Sequence, residues 1–112
     1  MTATRTAHRA DTCDVVTPAA DVAVPDDDTL AAMAKALAHP ARIRILRMLD
    51  ACQACVTGEV VTEVGLAQST VSEHLRILRE AGLVRGEIEG PRTRYCISAT
   101  GLATLKAGVA AL

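Results

Sequence analysis

The chain has no tryptophan, no phenylalanine and one tyrosine among its 112 residues. Aromatic rings bring the largest areas into a core, so here the core must be assembled from Ala, Val, Leu and Ile. Aliphatic cores of this kind suit packed helices and often gain stability by dimerising. Long apolar runs are missing as well: nothing approaches the roughly 18 consecutive apolar residues that a membrane-spanning helix needs. The opening "MTATRTAHRADTCDVVTPAADVAVPDDD" carries basic residues but no continuous apolar segment, so it does not read as a secretory signal. A cytoplasmic protein with no membrane partner is expected. The sequence has no phosphate-cradling glycine loop and no paired nucleophile and base, so no enzyme is expected.

Strong net charge is absent too. A balance of −1 at pH 7 is at first sight poor for a nucleic-acid binder, but it averages two unlike parts. Residues 1–30 hold Arg5 and Arg9 against six aspartates, a balance of −4, whereas residues 31–112 hold ten Lys or Arg against seven Asp or Glu, a balance of +3. Local rather than total charge governs contact with a polyanion. Residues 1–27 lack helical periodicity and contain Pro18 and Pro25. They are expected to form a mobile acidic arm ahead of a single domain over residues 28–112.

Within that domain no internal repeat appears, and the apolar spacing sets out the elements. The run Asp26–Asp28 suits the positive end of a helix dipole, and "TLAAMAKALA" reads as the first helix. His39-Pro40 breaks it, and proline at a first helical turn starts the second, "PARIRILRMLDA". There Ile43, Leu46 and Leu49 share a face, with Arg42, Arg44 and Arg47 interleaved. "GEVVTEV" is a short third helix, with Val60, Val61 and Val64 inward and Thr57 as its cap. After a turn at Gly65-Leu66, "QSTVSEHLRILREA" places Val71, Leu75 and Leu78 on one face, and Gly82 ends it as a left-handed cap. The period then changes to alternation. "LVRGEIEGPRTRYCIS" gives two strands around "EGPR", with Val84 and Ile88 facing one way and Tyr95 and Ile97 closing the second. A last helix, "GLATLKAGVAAL", is almost wholly apolar and is expected to pack on a partner subunit.

Helix, turn, helix and hairpin make a mainly α winged helix-turn-helix. The second helix of such a motif enters the major groove by its N-terminus, where short polar side chains reach base edges and phosphates. Gln68, Ser69, Thr70, Ser72, His74 and Arg76 are the candidates on that helix, with Glu73 beside them. Arg92 and Arg94 lie on the hairpin, where a wing touches backbone or minor groove. Arg42, Arg44 and Arg47 are further candidates for phosphate. For His74, DNA contact or helix packing is expected rather than metal binding.

The stretches "LAHPARIRILRML", "VGLAQSTVSEHLRILREAGLV" and "GPRTRYCIS" resemble the ArsR/SmtB family of metal-sensing transcriptional repressors over roughly residues 30–110. The resemblance implies a homodimer joined by its outer helices, bound to a palindromic operator and released by a metal or metalloid. Two positions depart from the pattern. Ala67 stands where the family usually has a capping serine, which suggests a helix starting at Ser69 or fraying without DNA. His39 stands where Asp or Asn is commoner.

Four cysteines in a reducing compartment are expected as thiols or ligands rather than a disulfide framework. The zinc-type site of the family, with Asp and His on the last helix, has no counterpart in "LATLKAGVAAL", and residues 56–66 contain no cysteine. What remains is Cys52 and Cys55 in "DACQACVTGE". On one helix, residues three apart bring their β-carbons to about 5–6 Å, near enough for two thiolates to hold one soft ion. Some arsenic sensors of the family add an N-terminal-arm cysteine, which makes Cys13 the third candidate, in the same chain or from the partner. The inducer implied is As(III) or Sb(III). A thiol redox sensor and a Cd(II) or Pb(II) sensor on the same scaffold stay open. Cys96 is expected to be a small buried hydrophobe.

Overall fold

The computed structural model describes residues 22–52 and 55–112, with the side chains of residues 52–57 and 89 outside that description. Its elements are α1 (Asp27–Leu37), α2 (Pro40–Cys52), β1 (Cys55–Val56), α3 (Thr57–Val64), α4 (Gln68–Glu80), β2 (Val84–Glu89), β3 (Arg92–Ile97) and α5 (Ala99–Ala110). The arm expected over residues 1–27 lies mostly outside the described residues, and so does Cys13.

The aspartate run does start a helix, two residues ahead of the expected Thr29. Asp26 caps α1, its Oδ1 accepting from the Thr29 N–H at 2.8 Å, and Asp27 and Asp28 occupy the first turn. On α2 the buried stripe is Ala41, Ile45, Leu46 and Leu49, and Ile43, expected inward, is 37% exposed. Isoleucines 43 and 45 lie about 200° apart on a helix, so only one of them can join Leu49. Thr57, expected as a cap, is the first residue of α3, whose Val60 and Val64 are buried and whose Val61 is half-buried. With Met33 and Ala36 of α1, Val71, Leu75 and Leu78 of α4, Leu83, Val84 and Leu105, these side chains form one aliphatic core.

The end of α4 is fixed by backbone geometry. Gly82 has φ +81, its N–H donates to the Arg79 carbonyl at 3.0 Å, and the Leu83 N–H donates to the Leu78 carbonyl at 3.0 Å. That pair of bonds is a Schellman ending, and its two leucines are both buried in the core. The chain then enters the wing. Val84 pairs with Ile97 and Glu89 with Arg92, leaving a two-residue loop. Gly90, at φ +63, takes the first loop position, which with the fixed φ of Pro91 favours a type II′ turn. Ile88 shares a strand face with Val84, yet it is 85% exposed because the hairpin runs out past the core.

Two features were not foreseen. The sheet has a third strand: β1 pairs antiparallel with β3, Cys55 opposite Tyr95 and Val56 opposite Arg94, giving the order β1-β3-β2. Cys96 is buried as expected, at 1% exposure, but it is disulfide-bonded, contrary to the expectation of free thiols.

The helix α5 is capped by Ser98, whose Oγ accepts from the Gly101 N–H at 3.0 Å. It packs on α1 of its own chain through Leu105 and Gly108, where a β-carbon on Gly108 would sit 2.7 Å from Leu30. Val109 and Leu112 are left exposed, Leu112 at 93%. Among the described residues no helix is long and apolar enough to cross a membrane.

Candidate nucleic-acid interface

The first turn and outer face of α4 present Gln68, Ser69, Thr70, Ser72, Glu73 and Arg76 to solvent, while Val71, His74, Leu75 and Leu78 face inward. The helix begins at Gln68, not Ser69. Ala67 takes the extended backbone of an N-cap (φ −61, ψ 149) but supplies no side-chain hydrogen bond. The N–H groups of the first turn therefore lack the partner a capping serine would give them, and they lie among the exposed hydroxyls. The wing strand β2 packs against α4, which sets the hairpin beside the helix.

Arg76 is engaged within its own helix. Its Nε donates to Glu73 Oε1 at 3.0 Å, a second guanidinium nitrogen bonds the same carboxylate, and Nη1 donates to Glu80 Oε2 at 2.9 Å. The Arg76 bond, above all, holds the Glu73 carboxyl below the usual range, and the two carboxylates raise the guanidinium. Exposed pairs of this kind exchange readily with solvent, so Arg76 would have to give up two partners to meet a phosphate. Arg92 is exposed near the wing tip, and Arg94 is half-buried opposite Glu87 and Val56 in the sheet.

Of the two roles open to His74, the structure gives it packing. The residue is 7% exposed. Its Nδ1 accepts from Arg42 Nε at 3.1 Å, and the same guanidinium donates through Nη1 to the Ala36 carbonyl at 3.1 Å and the Lys35 carbonyl at 3.4 Å. The Arg42 side chain thus ties the C-terminal turn of α1 to α4, rather than reaching outward for phosphate. His39 lies against His74, ring centroids 4.6 Å apart, and its Nδ1 accepts the Ala41 N–H at 3.1 Å, capping the start of α2. Burial, then the charges of His39 and Arg42, push the His74 pKa down, while Glu73 pulls weakly the other way. With Nδ1 accepting, the ring is the neutral tautomer with its proton on Nε2. The spacing of residues 71, 74, 75 and 78 already places His74 on the buried stripe, so this clasp had a readable signal. Arg44 lies near α3, its Nη1 3.5 Å from the Val64 carbonyl.

The cysteine geometry needs a correction. Helix α2 stops at Cys52 and Cys55 opens β1, so the two do not share a helical face and the spacing expected from three-residue helical separation does not apply. A two-residue strand has no periodicity to betray it. Among the described residues no group of three potential ligands is found.

The family model described as bacterial regulatory protein, arsR family, matches residues 39–85. That span runs from the His39-Pro40 break through α4 into the first wing strand. The solution structure of a homodimeric winged helix-turn-helix DNA-binding domain from Mycobacterium bovis is 33% identical, with a TM-score of 0.62, over 75% of this chain and 80% of that one. The chain belongs to the arsR family. A further neighbour is the crystal structure of Mycobacterium tuberculosis Rv0081, 38% identical with a TM-score of 0.62 over 80% of this chain and 89% of that one. The transcriptional regulator CmtR of M. tuberculosis is 41% identical over 78 residues, 69% of this chain. The match covers 64% of CmtR, less than two thirds of its length. CmtR is named as a transcriptional regulator and the M. bovis domain as a possible one of the ArsR family.

Proposed function

We propose that the chain is a transcriptional repressor that binds double-stranded operator DNA as a homodimer and lets go when As(III) or Sb(III) is bound by cysteine thiolates. The observation that carries the DNA reading is the exposed, uncapped polar first turn of α4 with the wing packed beside it. Gln68, Ser69, Thr70 and Ser72 read the major groove, and Arg92 and Arg94 meet backbone or minor groove, while Arg76 stays bonded to Glu73 and Glu80. His74 serves this surface from behind, by fixing α4 against Arg42. The homodimeric M. bovis neighbour and the apolar outer side of α5, with Val109 and Leu112, support pairing through the outer helices.

For the inducer, Cys52 and Cys55 supply thiolates at the junction of α2 and the sheet, with Cys13 of the arm as the third ligand suggested by the family resemblance. Three thiolates in a pyramid suit a trivalent metalloid whose lone pair takes the fourth direction. The inducer must bind the DNA-incompetent dimer better than the operator-bound one. A second reading, a thiol redox sensor, is favoured by the disulfide at Cys96.

Fluorescence anisotropy on the upstream operator separates these readings. Near-stoichiometric arsenite or antimonite should release the reduced protein, and Cys52→Ser should abolish release. Release by the thiol oxidant diamide alone, with arsenite inert, would replace the metalloid reading by the redox one. Release only by Cd(II) or Pb(II) would move the same thiolates to a divalent ion.

A further inference from the structure

The two faces of the wing differ. In an antiparallel pair, residues directly opposite one another share a face, and successive residues alternate between faces. One face sets Glu87 opposite Arg94 and also carries Arg92, so a carboxylate there offsets a guanidinium. The other face pairs Gly86 with Tyr95 and Ile88 with Thr93, and it has no charge of its own. This second face is turned to α4. A β-carbon on Gly86 would lie 3.3 Å from the Tyr95 ring, 3.4 Å from Thr93 Cγ2 and 3.5 Å from Arg79 Cδ. The Arg79 stem thus covers the face at Gly86, and two residues further out Ile88 is 85% exposed.

Single apolar side chains on a surface are ordinary, but this one stands apart from the rest. Among the described residues, the other large apolar side chains exposed beyond half are Val24, Val109 and Leu112. Those lie ahead of α1 and at the end of α5, two helices packed on each other. Ile88 is on the wing, beside the surface proposed for DNA.

We infer that Ile88 is a specificity-determining residue: its side chain enters the minor groove next to the major-groove site of α4 and selects A·T over G·C there. The inference rests on the operator reading above and names what the wing reads. The minor-groove floor of an A·T pair shows only acceptors, adenine N3 and thymine O2, whereas G·C adds the guanine N2 amino group. An isoleucine pressed onto that amino group would leave its N–H without a partner. Proteins that bind the minor groove use apolar side chains in this way, isoleucine among them. An arginine can also favour A·T, through the more negative potential of a narrow groove. Arg92, on the opposite face, is therefore the control.

The test is fluorescence anisotropy of the full-length protein on operator duplexes in which each symmetric pair of A·T positions is replaced in turn by G·C or by inosine·C. Inosine·C matches G·C in the major groove but lacks the minor-groove amino group. A position that G·C weakens and inosine·C restores is therefore read from the minor groove. One such pair is expected outside the positions facing α4, with G·C weakening binding at least about fivefold. Ile88→Ser should bind the two duplexes alike, whereas Ile88→Val and Arg92→Ala should keep the difference. A wild type that binds the operator without any such position, or a difference that survives in Ile88→Ser, would overturn the inference and leave the operator reading standing. So would a difference lost in Arg92→Ala. Sedimentation of the DNA-free protein tests the other occupant, a second copy of this chain. Ile88→Ser should keep the wild-type mass, and a fall in mass would give Ile88 to a subunit contact and overturn the inference. A wild type that does not bind the operator overturns both readings.

Discussion

A buried imidazole beside an arginine is held neutral only while the pH allows it. The His74 pKa is lowered, first by burial, so the unfolded chain takes up the proton before the folded one. Above the ordinary value of 6.5 both states are neutral and the fold keeps its full stability. As the pH falls below it, the unfolded state gains protons first and stability drops, until the folded-state value is passed. The urea midpoint is therefore expected to fall between about pH 7 and about pH 5, and His74→Leu should flatten that fall. An unchanged slope in the variant would place the titration elsewhere. At neutral pH the same substitution removes the acceptor for Arg42 Nε and should cost about 1 kcal/mol, the usual net worth of one such bond. The residue-level reading of the sequence was good wherever spacing alone decides orientation, as for Val71, Leu75 and Leu78. It failed where two residues competed for one face, as with Ile43 and Ile45, or where a partner lies far along the chain, as Arg42 does from His74.

Helices and strands were legible to the extent that their ends carry chemical punctuation. His39-Pro40 and Gly82 marked their boundaries correctly because each meets a local requirement, a break or a positive φ, whereas the start of α1 was read two residues late. Strand β1 had no such mark, since two residues paired to a distant strand leave no local pattern, and its absence misplaced Cys55 on a helix. The missing cap of α4 gives a direct prediction. Ala67 already has N-cap backbone angles, so Ala67→Ser should stabilise the protein by about 1 kcal/mol, raising the melting temperature by roughly 4–8 °C for a domain of this size. No gain would mean that another group already serves the first-turn N–H donors. The junction of α4 and α5 predicts the opposite sign. A β-carbon on Gly101 would collide with the backbone carbonyl of Gly82, and that turn is held rigid by its two hydrogen bonds. Gly101→Ala should thus shift α5 and cost about 1–3 kcal/mol or more, measurable by chemical denaturation.

Over the whole molecule, an acidic first segment and a basic body leave electrostatics to decide where DNA can lie. Every phosphate contact releases counterions, so the affinity should fall with salt by a slope of about 0.9 per contact on a log–log plot. The arginines are not equivalent in this respect. Arg92 is exposed on the wing, whereas Arg76 is already bonded to Glu73 and Glu80. Arg92→Ala should therefore lower the slope, while Arg76→Ala should leave it nearly unchanged, with titrations run across a range of salt concentrations. The size of the first effect also counts subunits. A homodimer on a palindromic operator presents Arg92 twice, so losing it should remove about 1.8 from the slope, against about 0.9 for a single chain. A drop of the smaller size would mean that one wing alone reaches the duplex. An equal drop for Arg76→Ala would mean that DNA draws that guanidinium away from its two carboxylates.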